Sequence, residues 1–174
     1  MSKNIIVSNR LPIKISKVDN SFEFTPTSGG LATGLKSFHN QKNSLWVGWP
    51  GIGSDKIDKI LWPKLQDSLK KNNYCPVNLS SKEIQNFYYG LPNKCLWPLF
   101  HYFIEKSSFN ESHWKHYVEI NKKFSDVVLS KIEKGDTIWI HDYQLMLCPK
   151  MIKDSRPDVK LSLIHISEPT RLGA

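Results

Sequence analysis

The chain has 174 residues, 40% of them hydrophobic and 23% charged, with a formal charge of +8 at neutral pH. That is enough apolar material for one globular domain with its own core, and no apolar run reaches the roughly 18 residues of a membrane span. The lysines are dispersed and no tight basic tract interleaves with aromatics, so nucleic acid is not the expected partner; a positive field suits small anions such as sugar phosphates and nucleotides.

Met1-Ser2-Lys3-Asn4-Ile5 enters a strand-like run at once and lacks the layout of a signal peptide, which points to the cytoplasm. Asn4 to Ser8 is short, β-branched and apolar and predicts a buried parallel strand closed by Asn9-Arg10. Ile13 to Ile15 and Phe22 to Phe24 alternate with polar residues and predict a hairpin across Asp19-Asn20. Pro26 to Gly30 predicts a turn, followed by a helix from Leu31 to His39. Leu45 to Trp49 is the next strand, stopped by Pro50-Gly51. Asp55 to Lys71 is helical in composition, with Pro63 expected to break or kink it. Tyr74 to Leu79 predicts a strand, and Ser80 or Ser81 caps a short helix reaching Tyr88.

Glu111 to Ile132 carries Trp114, Tyr117, Val118, Asn121, Phe124, Val127, Val128 and Ile132 at three- and four-residue steps, the stripe of a core-facing helix. Gly135-Asp136 ends it, and Thr137 to Ile140 predicts a buried strand. A helix from Tyr143 to Asp154 follows, with Pro149 as an awkward member, and Val159 begins a further strand. Strands alternating with helices predict an α/β fold with a mostly parallel sheet and helices on both faces.

Four places offer chemistry. Asp142 follows the Thr137 strand, where open α/β sheets bind ligands, and a carboxylate there either accepts sugar hydroxyls or caps the next helix. Arg10 ends the first strand and either grips a phosphate with two hydrogen bonds or is a surface arginine. Ser28 to Gly34 is a glycine-rich turn into a helix, suited to a phosphate or to a plain tight turn, without the Gly-x-Gly-x-x-Gly spacing of dinucleotide folds. Phe87 to Tyr102 is dense in aromatics, reading either as the wall of a sugar site or as a packed loop. His113 and His116 lack companions at metal-ligand spacing, and Cys75, Cys95 and Cys148 read as reduced thiols.

Val7 to Pro12, Ser28 to Ala32, Trp46 to Gly51, Tyr88 through Leu96 to Tyr102, Tyr117 to Asn121 and Trp139 to Tyr143 together resemble the trehalose-6-phosphate synthase family, in its order and near its spacing, over residues 3 to 160. The resemblance implies the Rossmann-like N-terminal half of a two-domain, GT-B type retaining glycosyltransferase that moves glucose from UDP-glucose to glucose 6-phosphate. It implies no cofactor and no metal. Carried over by motif, Arg10, Tyr88, Trp97 and Asp142 would bind glucose 6-phosphate, and Gly29 and Gly30 would lie against UDP-glucose. Trp49 would line the site. No catalytic residue is expected in this stretch, because the family's second domain supplies the Arg and Lys that neutralise the departing diphosphate. Such charge stabilisation is worth about 3 to 4 kcal/mol per donor, so the chain alone is expected to be inactive.

One back-translation of Leu161 to Arg171 resembles a transposon adapter used in building sequencing libraries. Residues 161–174 are therefore expected to be a non-native tail after a domain at residues 1–160. His165 stands one residue out of register with the family's histidine and is given no role. Rival readings keep the family with another acceptor, such as glycerol 3-phosphate, or make the chain part of a non-catalytic sugar-phosphate-binding subunit. A nucleotide-dependent oxidoreductase is disfavoured by the absent dinucleotide fingerprint.

Overall fold

The computed structural model describes residues 2–18, 21–27, 34, 35, 39 and 43–164. Its centre is a five-stranded sheet made of β1 (Asn4–Arg10), β4 (Ser44–Trp49), β5 (Tyr74–Pro76), β6 (Thr137–His141) and β7 (Lys160–Ile164). The spatial order is β5-β4-β1-β6-β7 and every neighbouring pair is parallel. β2 (Ile13–Val18) and β3 (Ser21–Pro26) form a separate antiparallel pair, with Val18 opposite Ser21, as the hairpin pattern predicts.

A parallel sheet is covered on both faces, and β1 shows how the sequence arranges it. Ile5 and Val7 point to one core with Val47, Ile138 and Ile140, while Ile6 between them points to the other with Trp46. The first core is closed by α4 (Glu111–Leu129) and α5 (Cys148–Ser155) through Phe124, Val128 and Ile152; the second by α1 (Trp62–Lys71) through Leu65 and Leu69. α2 (Ser81–Phe87) starts with a reciprocal cap, in which the Ser80 hydroxyl accepts from the Glu83 N–H at 3.3 Å and the Glu83 carboxylate accepts from the Ser80 N–H at 2.8 Å. No helix among the described residues is long and apolar enough to cross a membrane.

The prolines act differently from the sequence reading. Asp55 to Lys71 is not one kinked helix: a short 3-10 turn covers Ser54–Lys56, and α1 starts at Trp62 with Pro63 in its first turn. There a missing N–H has no intrahelical bond to lose. The helix expected from Tyr143 likewise divides into a 3-10 turn at Tyr143–Leu145 and α5, which takes Pro149 into its first turn. The aromatic stretch is helical but irregular, with a π-helical turn at Pro92–Leu96 running into α3 (Trp97–Phe100). Trp114 leaves the core stripe and is 39% exposed. The strand expected from Val159 runs Lys160–Ile164, so part of the stretch assigned to the tail completes the sheet. Of the helix expected over residues 31–39, Gly34, Leu35 and His39 are helical and the remainder lies outside the described residues.

β1 carries a bulge. Val7 faces Val47 but Arg10 faces Trp49, so β1 has one more residue than β4 between these pairs. The Ser8 hydroxyl fixes the bulge by donating to the Arg10 carbonyl at 2.8 Å and accepting from the Trp46 indole N–H at 2.8 Å. Gly48 lies opposite, where a Cβ would stand 2.9 Å from the Ser8 carbonyl oxygen and 3.0 Å from the Leu11 nitrogen. Backbone cannot retreat as a flexible side chain can. Gly48→Ala should therefore cost about 1–3 kcal/mol of stability, read in urea as a lower midpoint with an unchanged slope.

Candidate functional site

All five strands run the same way, so their carboxyl ends share one edge, where an open α/β sheet receives ligands. β1 and β6 are immediate neighbours, with Val7 opposite Ile140. Arg10 ends β1 and Asp142 directly follows β6, so these two residues, 132 positions apart by number, reach the same edge from adjacent strands.

Arg10 is exposed, but its guanidinium has a bed. Its central carbon lies 5.6 Å from the centroid of the Trp49 ring. This is cation–π range. The Trp49 indole is fixed in turn by donating to the Ile52 carbonyl at 2.9 Å. Gly51 closes the other side: its φ is +87°, and a Cβ there would lie 2.7 Å from Arg10 Nη2 and 2.8 Å from Nε. Only glycine meets both the backbone and the space requirement. Among the described residues no carboxylate forms an ion pair with Arg10.

Asp142 realises the capping alternative on a small scale. Its carboxylate accepts from the Tyr143 N–H at 2.8 Å and heads the 3-10 turn at Tyr143–Leu145. Capping and acceptance of ligand hydroxyls draw on the same kind of acceptor atom, of which a carboxylate has two. The Asp142 N–H donates to the Ile164 carbonyl of β7 at 2.9 Å. Next to it Tyr143 is buried, its ring edge-on to Phe100 at 6.1 Å. Burial raises the pKa of the Tyr143 hydroxyl, and Asp142 and Tyr88 add to the rise, so these side chains share one electrostatic neighbourhood. Tyr88 is half-buried and stands edge-on to Tyr89 at 5.1 Å.

Trp97 sits three residues before Phe100 on α3 and is 43% exposed, stacked on His101 at 4.4 Å. The 143–145 turn packs against β1, β6 and the π-helical turn at Pro92–Leu96, the segment that leads into Trp97. Gly29 and Gly30 lie outside the described residues. Burial pushes the Cys148 thiol up to about 12 and raises Cys75 as well, which leaves these two unsuited to nucleophilic work.

Sequence reasoning missed two contributors. Gly51 reads as a strand stop and the end of the Trp46 to Gly51 motif, with no role of its own, because its role depends on a side chain 41 positions earlier, a separation given by the numbering. Asn121 reads as one more position of a helix stripe, although a fully buried amide there signals that a backbone needs it.

A family model described as Glycosyltransferase family 20 matches residues 2–171. An alpha,alpha-trehalose-phosphate synthase (UDP-forming) of Emericella nidulans is 38% identical over 164 residues, covering 93% of this chain and 32% of the relative. A trehalose-6-phosphate synthase of Mycolicibacterium vanbaalenii is 36% identical over 169 residues, covering 95% of this chain and 34% of the relative. A solved structure from E. coli, bound with UDP-2-fluoro glucose, superposes with a TM-score of 0.72 at 26% identity, covering 97% of this chain and 34% of that one. The chain therefore spans about a third of the length of the curated relatives it matches. The parallel sheet flanked by helices is the Rossmann-like arrangement of these GT-B glycosyltransferase structures.

His39 and His141 are both buried, and burial lowers the pKa of each below the ordinary histidine value. A hydrogen bond to the Asn72 carbonyl opposes this at His39, and the Asp142 charge opposes it at His141. The unfolded chain then binds protons more readily than the folded one once the pH drops below about 6.5. Their contribution is complete above that value and is lost as the pH falls through the window beneath it. Melting temperature should be flat from pH 8 to 7 and decline from 6.5 to 5, with a shallower decline in His141→Gln.

Proposed function

The chain belongs to glycosyltransferase family 20, and from that membership we propose that it is the acceptor-side, N-terminal part of a trehalose-6-phosphate synthase. The parent transfers glucose from UDP-glucose to glucose 6-phosphate with retention at the anomeric carbon, giving trehalose 6-phosphate and UDP. In this reading Arg10 takes the phosphate of glucose 6-phosphate, Tyr88 and Asp142 hold the sugar, and Trp97 walls it. Gly29 and Gly30 lie against the donor. The protein acts in the cytoplasm.

The observation that carries the reading is the placement of a cradled arginine and a carboxylate at the ends of two adjacent parallel strands. A phosphorylated hexose needs both: a planar cation for the phosphate and an acceptor of hydroxyl protons several ångströms away. The chemistry asks little more of this part. In a front-face retaining transfer the departing diphosphate takes the acceptor proton, so this chain orients the acceptor and supplies no base. Stabilising the departing charge falls to the second domain of the parent, and the chain alone binds without turnover.

Calorimetric titration of the 174-residue chain with glucose 6-phosphate tests the acceptor assignment. Arg10→Ala should weaken binding about 10- to 100-fold, the value of one or two hydrogen bonds to a charged group. Gly51→Ala should weaken it about tenfold by displacing the same guanidinium. Equal affinity for glycerol 3-phosphate would move the parent to another acceptor, and binding unaffected by Arg10→Ala would defeat the site. We read residues 161–174 as non-native, and expect the genomic DNA downstream of the Lys160 codon to encode a different continuation. UDP release from that completed reading frame, dependent on glucose 6-phosphate, is the corresponding activity test.

A further inference from the structure

Asp142 has φ 80° and ψ 165°, a region that essentially only glycine occupies without strain. A residue with a side chain persists there only when its surroundings over-determine the backbone. The Asp142 N–H is held by the Ile164 carbonyl of β7, and the turn that follows it is held from α4. The Tyr117 hydroxyl donates to the Tyr143 carbonyl at 2.7 Å and accepts from the Met146 N–H at 3.1 Å. One helical turn later, the Asn121 amide donates to the Gln144 carbonyl at 3.0 Å and accepts from the Leu147 N–H at 3.2 Å. The same amide donates to the Tyr117 carbonyl at 2.9 Å, which orients it. Both side chains are buried, at 2% and 0% exposure, so no water substitutes cheaply for them.

Two side chains spaced four residues apart on one helix therefore satisfy four backbone groups within the five residues that follow Asp142. A single irregular turn has few bonds of its own for these groups, and a buried peptide group without a partner is costly. The clamp explains two observations together: an asparagine on the core face of α4 and a left-handed aspartate at the ligand edge of the sheet.

We propose that Tyr117 and Asn121 are positioning residues for Asp142, holding the turn after it so that its carboxylate stays fixed at the sheet edge for the hydroxyls of the acceptor sugar. This rests on reading Asp142 as an acceptor contact. Neither residue touches the ligand. Loosening the turn lets Asp142 relax towards extended backbone and carries the carboxylate away.

The test uses the 174-residue chain with Tyr117→Phe, which keeps the ring and removes the hydroxyl, and Asn121→Ser as a second variant that removes the amide's bonds to the turn. Leu69→Ala, in the core under α1 on the other face of the sheet, is the control for general destabilisation. In Tyr117→Phe, amide exchange should accelerate about tenfold at Met146 and Leu147 while β1 amides keep their protection. The Asp142 backbone chemical shifts, which report φ, should move towards extended values. The dissociation constant for glucose 6-phosphate should rise about tenfold, whereas Leu69→Ala should lower the melting temperature and leave that constant within twofold. An unchanged dissociation constant in both clamp variants, with folded spectra, overturns the proposal. So does a loss of affinity in Leu69→Ala as large as theirs. If the unmodified chain does not bind glucose 6-phosphate, the acceptor reading falls on its own. The clamp is then decided by the Asp142 shifts: movement in Tyr117→Phe supports it, and unchanged shifts overturn it.

Discussion

The parallel alignment of β1 with β4 on one side and β6 on the other is the constraint from which the rest of the molecule follows. Parallel pairing forces a crossover between each pair of strands, and those crossovers supply the helices that bury both faces. It also sends every strand's carboxyl end to one edge. The alternation of Ile5, Ile6 and Val7 between two cores anchors β1 so firmly that its register cannot slip. The polar residues at its end are carried to a defined place by apolar residues that take no part in chemistry.

At that edge, irregularity is local and specific. The extra residue in β1, the left-handed Gly51 and the left-handed Asp142 all occur within a few residues of strand ends. Two of them are held from another element: the bulge by the Trp46 indole bonded to Ser8, and the turn after β6 by α4. A regular sheet feeds into these departures, and the core beneath it provides the rigidity they require.

Much of this was legible in the sequence, and the boundary of legibility has physical causes. β1, β4 and β6 are visible as short apolar runs because burial on both faces removes any polar alternation. Arg10 and Asp142 are visible because a charged residue directly after such a run has one place to go. The helices around Pro63 and Pro149 were misdrawn because a proline tolerated in a first turn looks, along the chain, like a proline that breaks a helix. Residues 88–102 escaped periodic reading because a π-helical turn follows neither the helix nor the strand repeat. Gly51 and the Tyr117–Asn121 pair were out of reach for another reason. Their partners, Arg10 and the 143–147 turn, are brought to them only by the folded sheet.

The bond from the Asp142 N–H to the Ile164 carbonyl has its own corollary. The edge strand β7 supports the positive-φ Asp142 through a main-chain hydrogen bond. A peptide carbonyl is the same whatever side chain flanks it, so this support is indifferent to spelling. An extended strand paired with β6 in this register offers Asp142 its carbonyl whatever side chain stands at that position.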